Sequence, residues 1–206
     1  MKKHLCILAI LTATSVALAT GDDDKGFRPL FNGKNLTGWK LRHPDAHNSW
    51  AVEPGGILKN TVEKGQHGVD LLTEQKFRNF VVRYEYMTPD DSNSGFYLRG
   101  RQEIQILGDH KSGKATKGSN GAIYNFKAPD QFVTRPGGEW QTAEVTLIGD
   151  RITVILNGVK IHDNVKCDQA TGGELDRNMD QTGPILLQGD HGTVSFRNIQ
   201  LMELPE

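Results

Sequence analysis

Cysteine is nearly missing from this sequence, with 2 residues in 206. That excludes a small scaffold stapled by disulfides. An excess of one charge is missing too. The formal net charge is −1, so there is no electrostatic footprint for nucleic acid or an anionic membrane surface. No internal apolar run approaches the ~20 residues of a membrane span. No segment holds a helical period beyond about two turns, which argues against an α-rich fold. Familiar catalytic signatures are absent as well: there is no H-E-x-x-H, no cysteine cluster and no G-x-S-x-G elbow. Gly55-Gly56 and Gly137-Gly138 lack the lysine and helix start of a phosphate loop.

What is present is an ordinary globular composition, 36% hydrophobic and 24% charged, long enough to bury one sizeable core. Lys2 and Lys3, the apolar run Leu5 to Leu11 and the small-x-small triplet Ala17-Leu18-Ala19 read as a signal peptide over residues 1–19. The expectation is export to a periplasm or the cell exterior. Cys6 lies inside the apolar run and does not read as a lipid-anchor cysteine, and Cys167 reads as a bystander thiol. Residues 20–26 form an acidic, small-residue leader, and residues 27–206 a single domain.

Short strand-like segments separated by Gly, Asn, Asp and Pro predict an all-β sandwich or barrel. Two long irregular stretches, Asp109 to Asn120 and Asp163 to Thr182, interrupt it. Around Gly149-Asp150 the alternation pairs Leu147 with Ile152 and Val145 with Val154, and Asn157-Gly158 turns the chain into Val159 and Ile161. A second hairpin, read with Gly100-Arg101-Gln102 as its loop, pairs Leu98 with Ile104, Phe96 with Ile106, Arg99 with Glu103 and Tyr97 with Gln105. One face is apolar. The other carries Tyr97, Arg99, Glu103 and Gln105, either as a solvated surface with an ion pair or as the floor of a polar ligand cleft.

Ordinary glycoside hydrolysis uses two carboxyl groups roughly 5–9 Å apart. On the strand of Glu103 the same-face neighbours are Gln105 and Leu107, so no partner is evident there. Gly-Asp-His occurs twice, at 108–110 and 189–191. Asp beside His at a strand end could orient an imidazole or, with a third ligand, hold a divalent metal ion. For Asp109 and His110 turn chemistry is the simpler reading. His43, His47, His67 and His162 read as solvated, and Trp39, Trp50 and Trp140 as core. Asn35-Leu36-Thr37 fits a glycosylation acceptor and carries little weight in an exported chain of bacterial appearance.

Several segments together resemble the 3-keto-disaccharide hydrolase domain family, formerly a domain of unknown function. They are Phe27 to Trp39, Asn93-Ser-Gly-Phe-Tyr-Leu-Arg99, the Glu103-x-Gln105-Ile106 strand, Gly121-Ala-Ile-Tyr124, Asn157-Gly158, Gly183 to Gln188, His191-Gly192 and Phe196 to Ile199. They run in order from Phe27 to Leu204. The resemblance implies a concanavalin A-like jelly roll of two mostly antiparallel sheets. It also implies action on glycosides already oxidised at C3. It marks Glu103, His191 and Arg99 as catalytic candidates, and Tyr97, Gln105, Tyr124, Gln188 and Asn93 as substrate-binding candidates, with a divalent metal near Asp190 and His191 as an option.

A C3 ketone acidifies the C2 proton, so one base, one acid and a stabiliser of the enolate would replace the carboxylate pair. The expected partner is a carbohydrate substrate, with no nucleic acid and no membrane span. Two other readings compete. One is a non-catalytic carbohydrate-binding module, for which Glu103 and His191 would be dispensable; the other is a cell-surface adhesion protein.

Overall fold

The computed structural model describes residues 25–63 and 65–205; the expected export signal and most of the leader lie outside them. Thirteen strands follow in chain order: β1 Arg28–Pro29, β2 Trp39–Leu41, β3 Trp50–Glu53, β4 Ile57–Asn60, β5 Leu71–Thr73, β6 Phe80–Met87, β7 Asn93–Leu98, β8 Gln102–Leu107, β9 Gln141–Ile148, β10 Arg151–Leu156, β11 Val159–Lys166, β12 Leu186–Leu187 and β13 Val194–Glu203. All pairs are antiparallel. One sheet has eight strands, in the order β11-β10-β9-β6-β13-β4-β3 with β1 beside β13. The other has five, in the order β2-β5-β12-β7-β8. Among the described residues no helix is long and apolar enough to cross a membrane.

The alternating apolar residues do what their period demands. Phe96, Leu98, Ile104 and Ile106 from the small sheet meet Val145, Leu147, Val154 and Leu156 from the large one, and none is more than 3% exposed. Tyr84 on β6 stacks on Phe96 on β7, ring centroids 4.0 Å apart, which ties the two sheets across the core. Such a pair adds about 0.5–1.5 kcal/mol beyond its buried area. The β9–β10 register is as the alternation predicts, Leu147 with Ile152 and Val145 with Val154.

Three sequence expectations are corrected. The β7–β8 loop is Arg99-Gly100-Arg101, one residue earlier than predicted, and it pairs Leu98 with Gln102, Phe96 with Ile104 and Tyr97 with Glu103. Arg99 and Gly100 both take left-handed backbone, with φ of 53° and 69°. The Arg101 N–H donates to the Leu98 carbonyl at 3.0 Å and closes the turn there. The pairing slips by two positions, so every side chain keeps its face, but Arg99 leaves the strand. His162 is not solvated. An irregularity in the β10–β11 pairing brings both Ile161 and His162 inside, where Nε2 meets the Gly121 carbonyl at 3.0 Å. Trp39 and Trp50 are core, but Trp140 is only half-buried, with the Arg197 guanidinium 4.1 Å over its ring. Cys167 is buried and its thiol is pushed up to about 11 by burial, as befits a bystander.

Candidate functional site

The period of two that fills the core also decides what the small sheet shows on its outer side. Register lines up Lys40, Leu72, Leu186, Tyr97 and Glu103 across β2, β5, β12, β7 and β8. The next row holds Arg42, Asp70, Gln188, Gly95 and Gln105, joined by the Arg42 N–H to the Asp70 carbonyl and the Gln188 N–H to the Gly95 carbonyl. Asn93 lies two residues before Gly95 on the same face.

Glu103 sits at the centre of this surface and is 3% exposed. The Tyr97 hydroxyl donates to its Oε2 at 2.9 Å, and Gln188 Nε2 donates to the Tyr97 hydroxyl at 3.4 Å. Burial raises the Glu103 carboxyl to about 8; the Tyr97 hydrogen bond opposes that rise, and the charges of Asp70 and Asp190 add to it. The carboxyl is therefore protonated at neutral pH. Tyr97 is likewise raised, by burial first and then by Glu103. Gly95 makes the arrangement possible: a Cβ there would lie 2.1 Å from Glu103 Oε1. Only a residue without a side chain lets the carboxyl lie over the neighbouring strand.

Two long segments flank Glu103. The stretch after β11 crosses the outer face as a strap. Its Thr171 Oγ1 accepts the Glu103 N–H at 2.9 Å, and Leu175 covers Leu72, Tyr97 and Leu186. Arg101 holds it with a bidentate pair to Asp176, at 2.7 and 3.2 Å, and a bond to the Gln181 carbonyl at 2.9 Å. On the free edge of β8, the Tyr124 N–H donates to the Glu103 carbonyl at 3.0 Å, and the Tyr124 ring lies against Gly172 of the strap.

The second Gly-Asp-His stands beside this surface. Gly189 passes so close to Val69 that a Cβ would lie 2.1 Å from its carbonyl oxygen. The Gly189 N–H donates to Asp70 Oδ1 at 3.0 Å, and Asp70 Oδ2 accepts from Arg42 Nη1 at 3.0 Å. Asp190 then pairs with His191 Nδ1, and the imidazole is half-exposed. Among the described residues no group of three or more His, Cys, Asp or Glu is placed to hold a metal ion.

The structure thus brings together Tyr97, Glu103, Gln105, Gln188 and Tyr124, with Asn93 on the same face and Asp190 and His191 beside them. It does not bring Arg99. That side chain, 2% exposed, turns to the end of the sandwich, where Nη2 donates to the Gly149 carbonyl at 2.8 Å beside Arg78, Asp150, Asp168 and Asp180. The left-handed turn is the reason, because it takes Arg99 out of the strand alternation. Asp109 and His110 make longer-range bonds than a turn requires: Asp109 accepts the Asn120 N–H and His110 Nδ1 meets the Thr134 carbonyl. Sequence reasoning missed Arg42, Asp70 and Thr171. β2 and β5 have three residues each, too few to show a period, and Thr171 lies in irregular chain. Buried acceptors without partners, Gln105 Oε1, Gln188 Oε1 and Asn93 Oδ1, cluster on this face. Comparable acceptors occur elsewhere, at Asn60, Gln102 and Asp109; the three on this face are ones that a ligand hydroxyl could satisfy.

Comparison with known proteins points the same way. Residues 26–202 match the family model described as a 3-keto-alpha-glucoside-1,2-lyase-like domain. A 3-keto-disaccharide hydrolase of Bacteroides thetaiotaomicron is 25% identical over 153 residues, 60% of this chain and 53% of the relative. The chain spans about half the length of that relative. A candidate glycosyl hydrolase of solved structure from Parabacteroides distasonis is 28% identical with a TM-score of 0.71, covering 87% of this chain and 84% of its own. A β-glucanase from Bacillus licheniformis shares the fold, with a TM-score of 0.53 at 10% identity over 87% of this chain and 97% of its own. The fold is the concanavalin A-like jelly roll of two antiparallel sheets.

Proposed function

Because the chain belongs to the 3-keto-alpha-glucoside-1,2-lyase-like domain family, we propose that it cleaves glycosides already oxidised to a ketone at C3. The observation that carries this reading is the state of its carboxyl groups. Glu103 is buried and raised to about 8, so at neutral pH it offers a proton instead of a negative charge. The other carboxylates nearby are spent. Asp70 accepts from Arg42 and Gly189, and Asp190 holds His191. A flanking pair of free carboxyls, which an ordinary glycosidase needs, is not what this face presents.

The chemistry then divides between two residues. His191, oriented by Asp190, takes the C2 proton at Nε2. The C2–H electrons move toward the C3 oxygen as an enolate. The enolate collapses to a C1=C2 double bond as the bond from C1 to the aglycone oxygen breaks, and Glu103 gives that oxygen its proton. Water adds across the enone, hydroxyl to C1 and hydrogen to C2. The sum is hydrolysis, and no oxidant or reductant is consumed. Tyr97 and Gln188 fix the Glu103 carboxyl, and Gln105, Asn93 and Tyr124 line the place where sugar hydroxyls bind. The signal-like segment at residues 1–19 supports action outside the cytoplasm.

The test is to incubate purified protein with 3-keto-trehalose and with 3-keto-glucosides and follow 3-keto-glucose. Release from the keto compounds with none from their unoxidised parents is the expected result. Tight binding without release supports a carbohydrate-binding module instead, and equal cleavage of unoxidised glycosides supports an ordinary hydrolase.

A further inference from the structure

We propose that Arg42 binds the C3 oxygen as negative charge develops on it, and that Asp70 is the positioning residue that sets Arg42 against the Asp190–His191 pair. The inference rests on the reaction proposed above and gives a residue to the one role that reading leaves unfilled.

The electrostatics of the face require such a residue. Asp70 and Asp190 both raise Glu103 through their charge, so negative potential already surrounds the site. An enolate forming there would be opposed unless a cation faced it. Arg99 points away to Gly149, and Arg101, with a side chain 3% exposed, is committed to Asp176. Lys40 stands at the far end of its row, separated from Tyr97 by Leu72 and Leu186. Arg42 has a side chain 27% exposed and is the guanidinium that reaches inward.

Its reach can be followed bond by bond. Nη1 donates to Asp70 Oδ2 and to the Gly173 carbonyl, both at 3.0 Å, and Nη2 donates to the Glu174 carbonyl at 3.2 Å. Gly173 lies against Tyr97, since a Cβ on it would be 2.6 Å from the Tyr97 hydroxyl. Through Gly173 the guanidinium is tied to the stretch of strap that lies against Tyr97, although its backbone is three strands away. These three bonds leave the Nε–H and one Nη2 hydrogen of its five donors free for a ligand. A guanidinium already fixed in place costs no reorganisation when charge appears.

Asp70 explains the spacing. One of its oxygens holds Arg42, and the other holds the N–H of Gly189, which opens the Gly189-Asp190-His191 turn. A single carboxylate thus positions the cation and the base. The reaction needs those two groups at adjacent carbons, the base at the C2 hydrogen and the cation at the C3 oxygen.

The experiment measures exchange of the C2 hydrogen of a 3-keto-glucoside with deuterated solvent, by NMR, for the parent, Arg42→Met and Arg42→Lys. Removing a preorganised donor of this kind costs about 10²–10³-fold, and Arg42→Met is expected to slow exchange by that factor. Binding of the unoxidised glucoside, which develops no charge, should change by less than about threefold. Arg42→Lys should recover part of the rate, because it keeps the charge and loses the fork. The strap has its own anchors in Arg101–Asp176 and in the Leu175 N–H to the Gly100 carbonyl, so the Met variant is expected to fold. If it does not, Arg42→Lys carries the test through its own slowed exchange. Exchange by either folded variant at the parent rate overturns the Arg42 assignment alone. Loss of glucoside binding in step with exchange also overturns it, and leaves Arg42 a strap anchor only. A parent that incorporates no deuterium at C2 of either the substrate or the released 3-keto-glucose overturns the proposed reaction and this inference with it.

Discussion

Replacing Gly95 by alanine would put a methyl carbon 2.1 Å from Glu103 Oε1 and 2.8 Å from its Cδ. Gly95 is in ordinary strand backbone, so the substitution carries no left-handed strain. On backbone grounds alone it should stabilise the strand, by about 0.5–1 kcal/mol. The clash runs the other way. To reach an ordinary contact of about 3.5 Å the carboxyl must retreat by roughly 1 Å or more. That breaks the 2.9 Å bond from Tyr97 and strands a buried hydroxyl. Overpacking costs about 1–3 kcal/mol, and an unsatisfied buried polar group a similar amount. The clash therefore wins, for a net loss of about 1–5 kcal/mol. A misplaced catalytic group of this size costs about 10²-fold in turnover. Urea unfolding and 3-keto-glucose release measure the two effects. A double-mutant cycle isolates the cause: with Glu103→Ala in place, Gly95→Ala should be neutral or stabilising. The same loss in both backgrounds, or a fully active Gly95→Ala, would refute the argument.

Three further outcomes follow. Glu103→Gln and His191→Ala should each lower turnover by about 10²–10⁴-fold while binding of an unreactive glycoside changes little, which steady-state kinetics and calorimetry check. Glu103 is raised in the folded protein, from an ordinary value of 4.5 to about 8, so the native state holds a proton that the unfolded chain gives up. Its contribution to stability is full below pH 4.5 and is lost as pH rises toward 8, and denaturation midpoints across that window should show a decline that Glu103→Gln removes. Arg99→Met should lower stability by about 1–3 kcal/mol, because it leaves the Gly149 carbonyl unpaired, yet leave turnover at the parent level; a large loss of turnover at unchanged stability would return Arg99 to the site.

The core of this fold was legible because its strands are long enough to alternate. Eight-residue β9 and six-residue β10 fix their pairing through Val145, Leu147, Ile152 and Val154. The faces of the β7–β8 hairpin were legible for the same reason, and they survived an error in its register because that error was an even number of residues. Arg99 did not survive it. A non-glycine residue in left-handed backbone carries no reliable local signal, and one such residue moved a cation from the sheet face to the end of the sandwich. His162 was hidden in the same way, by an irregularity in pairing that alternation does not announce. Arg42 and Asp70 were out of reach for another reason. They flank strands of three residues and act through contacts 28 and 131 positions away in the chain, which only the folded sheet and strap bring together.

On the proposed mechanism, cleavage begins with removal of the C2 proton of a ketone and not with attack at the anomeric carbon. Solvent exchange tests it most directly. With a 3-keto-glucoside in deuterated buffer, 3-keto-glucose released by the parent should carry deuterium at C2, at a rate that matches cleavage after correction for spontaneous exchange of the free sugar. His191→Ala should lower both together, by about 10²–10⁴-fold. Released sugar that retains its C2 hydrogen at the parent's full rate of cleavage would contradict the account.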